Sequence, residues 1–277
     1  MLPPVGRIGV WARTPQLSAG LARELEQLGY GTIWVGSSPG GELHIVDELL
    51  QATERLTVAT GIVNIWQDDA KNIARQHRRI TEAHPGRFLL GVGVGHPEAS
   101  SDYQHPYRSL VEYLDVLDAE GVPAEGRVLA ALGHKMLRLA ANRSAGAHPY
   151  LTTPQHTQAA RQVIGDSVLL APEQKVVVEP DPAKAREIGR PAVKNPYLGL
   201  SNYLANLRRL GFTDDDLADG GSDRLIDALV AHGDAATAAR RVEEHLAAGA
   251  DHVAIQLITE AGRDPVEGYR QLAAALM

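Results

Sequence analysis

The run from Gly91 to His96, GVGVGH, combines three glycines with a histidine and is the first of three stretches whose residues could hold a ligand. Glycines at the end of a strand remove side chains, so that a flat ligand can approach the backbone. The alternative is that Gly91, Gly93 and Gly95 are small because the surrounding interior is crowded. The spacing also overlaps the G-x-G-x-x-G dinucleotide fingerprint, but that motif follows the first strand of a βαβ unit and opens a helix at once. Here the run leads into Pro97, which disfavours a dinucleotide fold.

A second stretch, VATGIVNIW, places Gly61 before two β-branched residues and sets the polar Asn64 after a mostly apolar run. A glycine inside a strand often marks a bulge or a close approach of the backbone. The amide of Asn64 has the donors and the acceptor that are needed to bind the edge of a heterocycle. A bulge followed by a capping asparagine explains the same pattern, so both interpretations stay open.

The third stretch runs from Leu132 to Met136 and passes from a strand through Gly133 into a helix. The free N–H groups and the positive dipole end of a helix N-terminus attract anions, and Lys135 adds a positive charge. This combination indicates an anion site. A plain turn between strand and helix is the alternative, because most α/β barrels contain such junctions.

Buried strands and amphipathic helices alternate eight times along the chain, which favours an α/β fold of the (β/α)8 TIM-barrel type over a doubly wound sheet. The predicted strands span residues 7–12, 31–36, 56–65, 87–94, 127–132, 147–151, 167–178 and 251–258. The segment from Asp181 to Gly249 is helical and too long for one return helix, so we expect a helical insertion between strands seven and eight that covers the mouth. We interpret residues 1–277 as a single domain. Active sites of such barrels lie at the carboxyl ends of the strands, where the three stretches are expected to meet.

Composition excludes several classes of partner. The net charge of the 277 residues is −7 and the basic residues are scattered, so no nucleic-acid partner is expected. No apolar run is long enough for a membrane span or a signal sequence, which predicts no membrane partner and a cytoplasmic location. The chain has no cysteine and its 11 histidines show no metal-binding spacing, so we expect neither thiolate chemistry nor a catalytic metal. Redox chemistry would require a bound cofactor.

These runs, together with further motifs, resemble the bacterial luciferase-like superfamily over nearly the whole chain. The resemblance rests on IWVG in strand two, ATGIVN in strand three, GRFLLGVGVGH in strand four, VEYLD in the helix that follows, and LAALGHKMLRLAANRSAGAHPYL. The motifs LAPEQ, GSDRLIDAL and GADHVAIQL are similar to those of its deazaflavin-dependent oxidoreductase branch. The resemblance implies a barrel that binds FMN or the deazaflavin coenzyme F420 at its mouth, a small-molecule substrate and a homodimer.

The resemblance also implies which residues contact the cofactor. A non-proline cis peptide in strand three, which corresponds to Gly61–Ile62, would back the tricyclic ring. The end of strand four would line the ring, and the junction after strand five would bind the ribityl phosphate. With residues from the ends of strands two and three added, the predicted cofactor-binding residues are Ser37, Gly61, Ile62, Asn64, Val94, Gly95, Gly133, His134 and Lys135.

Two positions differ from the pattern of the deazaflavin-dependent relatives. At the end of strand two, where many relatives have an acid followed by a histidine, the chain has Ser37 and Ser38. At the end of strand four, where the sugar-phosphate dehydrogenase relatives have a glutamate, it has His96. The acid–base pair of those dehydrogenases is therefore missing, and we predict His96 as the proton-transfer residue and Ser38 as a second catalytic residue. Alternatively, His96 only contacts the cofactor or its own loop, and Ser38 only ends the strand.

The sequence thus predicts an enzyme, an F420-dependent oxidoreductase of the luciferase-like class that transfers a hydride between C5 of F420 and a small organic substrate. One alternative is an FMN-dependent luciferase-like monooxygenase. Another is a non-catalytic flavin- or F420-binding protein, which the serines at positions 37 and 38 suggest. His44, Tyr197 and Tyr203 are further candidates to enter the pocket, with ordinary packing as the alternative.

Overall fold

The structure, a computed structural model, describes residues 1–96 and 105–277 and consists of a parallel sheet surrounded by helices. The strands are short and almost completely buried, as expected when both faces of a parallel sheet are covered. They are β1 (Ile8–Arg13), β2 (Thr32–Gly36), β3 (Thr57–Gly61), β4 (Val63–Asn64), β5 (Phe88–Gly93), β6 (Arg127–Leu129), β7 (Gly146–Ala147), β8 (Leu169–Leu170), β9 (Glu173–Val178), β10 (Val230–Gly233) and β11 (Val253–Leu257).

The sheet curls into a barrel because β8, at one end of the strand order, and β9, next to the other end, belong to one continuous piece of chain. The strand order is β10-β9-β11-β1-β2-β3-β5-β6-β7-β8, and β4 pairs with β5. The segment 169–178 pairs with β7 through β8 and with β11 through β9, which brings the sheet round on itself. Strand three of the barrel is thus β3 followed by β4, and strand seven is β8 followed by β9. The predicted TIM-barrel fold is confirmed.

Helices follow the strands and bury one apolar face each against the sheet. In α4, for example, Leu110, Leu114 and Leu117 are completely buried. The helices are α1 (Ala19–Gln27), α2 (His44–Ala52), α3 (Ala70–Ala83), α4 (Pro106–Ala119), α5 (His134–Arg143), α6 (Pro154–Ile164), α7 (Pro182–Lys194), α8 (Ser201–Arg209), α9 (Asp214–Leu217), α10 (Asp223–Leu229), α11 (Ala235–Ala247) and α12 (Val266–Leu276). In the described ranges, none of them is long and apolar enough to cross a membrane.

The insertion between strands seven and eight is present, as the sequence predicts, but it is not entirely helical. It contains α7 to α10 and then β10, which pairs in parallel with β9, with Val230 opposite Lys175. The four-residue β10 follows α10 without a break, so its sequence shows no separate strand pattern. The helices of the insertion share a second apolar core that includes Tyr203, Leu207 and Ile226. This core fixes the insertion beside the carboxyl ends of the strands.

Strands five and six are shorter than predicted. They end at Leu129 and Ala147, whereas the sequence pattern continues to residues 132 and 151. The apolar residues beyond these ends leave the regular sheet and turn toward the mouth of the barrel, where Ala130 and Tyr150 line a cavity. The extra apolar pattern therefore belongs to a cavity wall and not to a strand.

Candidate active site

A cavity of about 520 Å³ lies at the carboxyl ends of the barrel strands, a volume typical of sites for small molecules and cofactors. All the predicted catalytic and cofactor-binding residues except His134 line it, namely Ser37, Ser38, Gly61, Ile62, Asn64, Val94, Gly95, His96, Gly133 and Lys135. Residues that the sequence analysis did not assign to the site complete much of the wall, including Trp11, Gln67, Tyr107, His148, Tyr150 and Asn202. Residues 97–104, which follow His96, lie outside the described part of the chain.

The peptide bond between Gly61 and Ile62 is cis, as the family resemblance implies. Ile62 lies between β3 and β4, and its side chain lies next to Gly91 and Gly93 of β5. A Cβ on Gly93 would lie only 3.0 Å from Ile62 Cδ1, and a Cβ on Gly91 would overlap the carbonyl oxygen of Thr60. Neither of these two glycines lines the cavity. For Gly91 and Gly93, the crowded interior is therefore the better explanation.

Gly95 differs from the other two glycines because it does line the cavity. Its φ of +59° lies in the left-handed region, and a Cβ there would be 2.8 Å from Asn64 Nδ2. The Oδ1 of Asn64 accepts a hydrogen bond of 3.1 Å from the backbone N–H of Trp66, so this side chain caps the turn after β4. The indole N–H of Trp66 donates to the carbonyl oxygen of Val94 at 2.7 Å. Asn64 is thus a capping residue that also borders the cavity.

Two buried polar atoms beside Gly61 have no hydrogen-bond partner within the described residues, Trp11 Nε1 and His148 Nε2. A Cβ on Gly61 would lie 2.8 Å from the first and 3.4 Å from the second. The Nδ1 of His148 donates to the carbonyl oxygen of Ala171 at 2.7 Å, which leaves Nε2 as an acceptor. Burial lowers the pKa of His148 to about 4, so the ring is neutral at neutral pH. The backbone at Gly61 is therefore flanked by one buried donor and one buried acceptor that have no partner within the described residues.

Ser37 and Ser38 form a sharp turn after β2, with φ of 65° and 49°. Non-glycine residues adopt this left-handed region at some energetic cost, which is common next to ligand sites. Gly36, just before them, leaves room for the indole of Trp11, since a Cβ would overlap that ring. Both serines border the cavity, and their contact with a ligand stays a prediction.

Aromatic rings form a continuous wall from the barrel to the insertion. The ring centroids of Trp11 and Tyr150 are 5.0 Å apart, those of Tyr150 and Tyr197 are 5.2 Å apart, and those of Tyr197 and Tyr203 are 5.0 Å apart. His96 stands at the end of this row, 5.4 Å from Tyr203. Tyr197 and Tyr203 of the insertion are thus part of the cavity wall, which is one of the two interpretations that the sequence left open for them.

His44 does not reach this wall. It is the first residue of α2, its side chain is exposed, and it does not line the cavity. His96, in contrast, has its Nδ1 at 3.5 Å from the side-chain Nδ2 of Asn202, a residue of the insertion. The loop after β5 and the insertion therefore meet at His96.

The N-terminus of α5 forms a positively charged end of the cavity. Gly133 is the N-cap residue, so no side chain caps the first-turn N–H groups. The Nζ of Lys135 lies 3.8 Å above the ring of Tyr107, and a guanidinium nitrogen of Arg209 lies 4.0 Å from where a Cβ on Gly133 would be. The side chain of His134 is exposed and does not line the cavity, so its contribution is limited to its backbone N–H. Arg209 comes from the insertion, and no sequence pattern links it to this site.

A buried ion pair lies behind the wall. Glu173 and Lys175 of β9 are both completely buried, and the Nζ of Lys175 donates to Glu173 Oε1 at 3.1 Å. The same Nζ donates to Tyr150 Oη at 2.8 Å and to Gln256 Oε1 at 3.0 Å. The Tyr150 hydroxyl in turn donates to Gln256 Oε1 at 2.7 Å. The sequence analysis did not predict this network. A usable signal was present, because residues two apart in a strand share a face, so opposite charges at positions 173 and 175 of a buried strand indicate a buried ion pair.

Burial shapes the protonation of this network. Burial lowers the pKa of Lys175, and the charge of Glu173 opposes that change. Burial likewise raises the pKa of Glu173, against the effect of Lys175. The three acceptors around the Lys175 Nζ match the three protons of an ammonium group, so we describe the pair as ionised. Burial also raises the pKa of Tyr150, so its hydroxyl is protonated at neutral pH.

Among residues 1–96 and 105–277, no group of three or more His, Asp or Glu side chains is placed to hold a metal ion. The expectation that the protein uses no catalytic metal stays a prediction.

The profile of the luciferase-like monooxygenase family matches residues 12–252. The chain therefore belongs to this family, as its motifs indicated. A search of curated proteins finds no match.

Solved structures with the same fold include proteins that use different cofactors. An F420-dependent secondary alcohol dehydrogenase in complex with an F420–acetone adduct has a TM-score of 0.74 at 14% identity, with 100% of both chains covered. The coenzyme F420-dependent tetrahydromethanopterin reductase from Methanopyrus kandleri has a TM-score of 0.73 at 16% identity, with 100% of this chain and 99% of that chain covered. The oxygenating constituent of 3,6-diketocamphane monooxygenase from Pseudomonas putida, in complex with FMN, has a TM-score of 0.65 at 13% identity, with coverage of 97% and 96%. At these identities, the likeness shows the fold alone.

Proposed function

We propose that the protein is an F420-dependent oxidoreductase that transfers a hydride between C5 of F420 and a small organic substrate. The observation that carries this proposal is the pair of unpartnered buried atoms, Trp11 Nε1 and His148 Nε2, beside the bare backbone of Gly61 in the described part of the chain. A planar ring with a polar edge would satisfy both atoms, because one is a donor and the other an acceptor. Membership of the luciferase-like monooxygenase family supports a redox cofactor in this cavity.

The residues present fit such a coenzyme at both ends of the cavity. Gly61 and Gly95 would hold the ring, since both line the cavity with backbone alone, and a Cβ at either position would displace Trp11 or Asn64 in the wall. Gly133 and Lys135, at the N-terminus of α5, would hold a phosphate, because free N–H groups and a cation favour an anion there. Arg209 adds a second cation beside them. When bound in this way, F420 supplies the hydride donor or acceptor at C5 that no side chain provides.

The protein itself would bind the substrate, orient it and exclude water. Tyr197 and Tyr203 bring apolar surface from the insertion, so the substrate would lie between the insertion and the barrel. Ser38 and His96 border the same space and remain the predicted catalytic residues. An aromatic wall of this kind favours a small substrate with an apolar body and one polar group.

An FMN-dependent monooxygenase of the luciferase-like type is the second candidate. It is favoured by the fold shared with the FMN complex of the diketocamphane monooxygenase constituent. A non-catalytic carrier of flavin or F420 is the third candidate, since serines stand at positions 37 and 38 where an acid and a histidine are found in many F420-dependent relatives.

Titration of the purified protein with F420 and with FMN tests the proposal. We expect micromolar or tighter binding of F420 by fluorescence, weaker binding of FMN, and oxidation of reduced F420 upon addition of a member of a carbonyl, enone and imine panel. FMN that stays bound through purification would instead support the monooxygenase. Tight F420 binding without turnover of any member of the panel would support the carrier.

We further propose that residues 1–277 act as a single domain within a homodimer, as the family resemblance implies. Light scattering coupled to size-exclusion chromatography tests the homodimer, and a single cooperative thermal unfolding transition is expected for the single domain. A mass equal to twice the chain mass of 29.8 kDa is expected, and a monomer at every concentration would contradict it.

A further inference from the structure

The buried network behind the wall reaches the cavity through one residue. Of the four side chains Tyr150, Glu173, Lys175 and Gln256, as far as the described residues show, Tyr150 alone lines the cavity. Its hydroxyl accepts a hydrogen bond from the ammonium group of Lys175 and donates one to Gln256. A negative charge that develops on the Tyr150 oxygen is therefore in direct contact with the ammonium group of Lys175, which water does not screen. The carboxylate of Glu173 is also buried nearby and opposes this effect, because burial raises the pKa of Tyr150 and the charge of Glu173 raises it further.

The buried ion pair between Glu173 and Lys175 is not explained by a contribution to the stability of the fold. Removing two charges from water costs more than their attraction usually returns, and well-packed apolar residues often replace such pairs without loss. Glu173 is held in place by the backbone N–H of Leu151 at 3.0 Å as well as by Lys175. The chain thus maintains a fixed ammonium group behind a tyrosine that faces a ligand cavity. Buried groups with shifted pKa values next to a cleft are often functional.

We propose that Tyr150 is the acid–base residue of the site, that Lys175 positions its hydroxyl and stabilises its phenolate form, and that the substrate is a carbonyl compound reduced to an alcohol, or the reverse. This inference rests on the proposed function and names its substrate class. It assigns the proton transfer to Tyr150 and not to His96.

The step balances as follows in the direction of reduction. The carbonyl carbon accepts a hydride, with its two electrons, from the reduced deazaflavin. The π-electron pair of the carbonyl group moves to the oxygen, which takes the proton of the Tyr150 hydroxyl. The O–H bonding pair stays on Tyr150 as a phenolate, and the ammonium of Lys175, 2.8 Å away, compensates its charge. Water then returns the proton, and in the oxidation direction the phenolate takes the proton of the alcohol.

In this proposal Gln256 accepts the Tyr150 proton's hydrogen bond when no substrate is bound, and Glu173 balances the charge of Lys175. In the structure the Tyr150 proton points to Gln256 Oε1, which also accepts from Lys175. Rotation of the hydroxyl toward a substrate oxygen leaves this acceptor with its bond from Lys175, so no buried group loses all its partners. Glu173 neutralises the ammonium while Tyr150 is protonated, which keeps Lys175 charged despite its burial.

His96 and Tyr150 both lie next to Tyr197, which stands between them in the wall. The ring centroids of His96 and Tyr197 are 6.4 Å apart, and those of Tyr197 and Tyr150 are 5.2 Å apart. The two candidate proton donors are thus separate side chains with one ring between them, and their variants can be tested separately.

The first test compares Tyr150→Phe with wild type in F420 binding and in carbonyl reduction. We expect unchanged F420 affinity and a loss of carbonyl reduction of about 100-fold or more, as is typical when a general acid is removed. Tyr30→Phe is the matched control, since Tyr30 also has a buried hydroxyl with a hydrogen bond of 2.9 Å, to the carbonyl oxygen of Tyr269, and does not line the cavity. Undiminished reduction by Tyr150→Phe would overturn the inference and leave the proposed function intact. Failure of the wild type to bind F420 would overturn the proposed function, and the inference with it.

The second test does not depend on activity. Difluorotyrosine, whose phenol is more acidic than that of tyrosine, is incorporated at position 150, and its phenolate absorbance is followed against pH in the ligand-free protein. We expect Lys175→Met to raise the midpoint by about one pH unit or more, because the phenolate loses its ammonium partner. Should this variant not fold, Lys175→Gln, which keeps a hydrogen-bond donor but carries no charge, is expected to shift the midpoint in the same direction. An unchanged midpoint would overturn the role of Lys175, and difluorotyrosine at position 30 serves as the control.

Discussion

The indole of Trp11 lies directly beside Gly61, with its Nε1 at 2.8 Å from the place that a Cβ would take. The indole thus fills the space beside the Gly61 Cα, and its N–H is a buried donor without a partner within the part of the chain that the structure describes. A side chain at position 61 would have to displace the indole, because its Cβ would come closer to Trp11 than van der Waals contact allows. The backbone of Gly61, with the Trp11 indole beside it, forms a flat surface, the shelf, on which the proposed coenzyme would rest.

A methyl group at Gly61 is expected to weaken coenzyme binding. In Gly61→Ala the Cβ displaces the Trp11 ring and occupies the shelf, so we expect about a tenfold loss of F420 affinity, which corresponds to roughly 1.4 kcal/mol. Gly20→Ala is the matched control, since its Cβ would meet no atom closer than Ser18 Oγ at 3.8 Å. Fluorescence titration measures the affinities, and thermal unfolding checks that both variants are folded. Equal affinities would contradict the placement of the ring.

The cations at the N-terminus of α5 are expected to bind the anionic part of the coenzyme. Arg209→Ala should lower F420 affinity by several-fold, because one positive charge near a helix N-terminus contributes about 1 kcal/mol to anion binding. Added salt should reduce the difference between wild type and variant.

Arg208→Ala provides the control for this experiment. Arg208 is the preceding residue of α8, is largely exposed and pairs with Asp214 at 2.9 Å, away from the cavity. Its removal should leave F420 affinity unchanged. A loss of affinity of the same size in both variants would show that the overall charge, and not the position of Arg209, matters.

Carbonyl reduction should depend more on Tyr150 than on His96. We expect His96→Gln to reduce the rate less than tenfold, since His96 contacts the insertion through Asn202 and is separated from Tyr150 by the ring of Tyr197. Tyr150→Phe should reduce it by about 100-fold. Steady-state kinetics with one ketone substrate compares the two. The reverse order of effects would restore His96 as the proton-transfer residue.

Because His252 is buried in its neutral form, we expect the free energy of unfolding to decrease in acid. Its Nε2 accepts a hydrogen bond of 2.9 Å from Trp34 Nε1, and its Nδ1 donates to the carbonyl oxygen of Gly6 at 2.8 Å, so the structure holds the neutral ring. Burial lowers the pKa of His252 to about 4. In the unfolded chain His252 has the ordinary histidine pKa of about 6.5, so the unfolded state takes up the proton first as the pH falls. The stabilising contribution is therefore complete above about pH 6.5 and is lost as the pH falls toward about 4.

Urea unfolding at neutral pH and at about pH 5 measures this effect. We expect His252 to account for about 2 kcal/mol of the decrease in the free energy of unfolding over this range. His252→Gln should lower the stability at neutral pH and show a smaller decrease between the two pH values. The exposed His44 gives the control His44→Gln, whose pH dependence should match wild type. A decrease of the same size in His252→Gln would contradict the assignment.

The barrel and most of the cavity wall could be predicted from the sequence because both depend on local patterns. Strand ends in a parallel barrel meet at one mouth, so glycine and polar residues after strands three, four and five had to come together. The same reasoning did not separate the roles of the glycines. Gly91 and Gly93 accommodate Thr60 and Ile62, which are distant in sequence, and only Gly95 of the three borders the cavity.

The rest of the site depends on contacts over long sequence separations. Lys175 meets Tyr150 and Gln256, which lie 25 and 81 residues away in the chain. Hydrophobic periodicity does not predict contacts between residues so far apart in the sequence. The opposite charges of Glu173 and Lys175, two residues apart in a buried strand, indicate only where such a network lies. Arg209 reaches the N-terminus of α5 only because the insertion folds on its own apolar core beside the strand ends.

A crystal structure of the protein with bound F420 tests the central claim most directly. We expect the deazaflavin ring to lie against Gly61 and Ile62, with polar atoms within hydrogen-bond distance of Trp11 Nε1 and His148 Nε2 and with the phosphate at Gly133 and Lys135. A ring bound elsewhere, with the indole N–H and the imidazole nitrogen still without partners, would contradict the account.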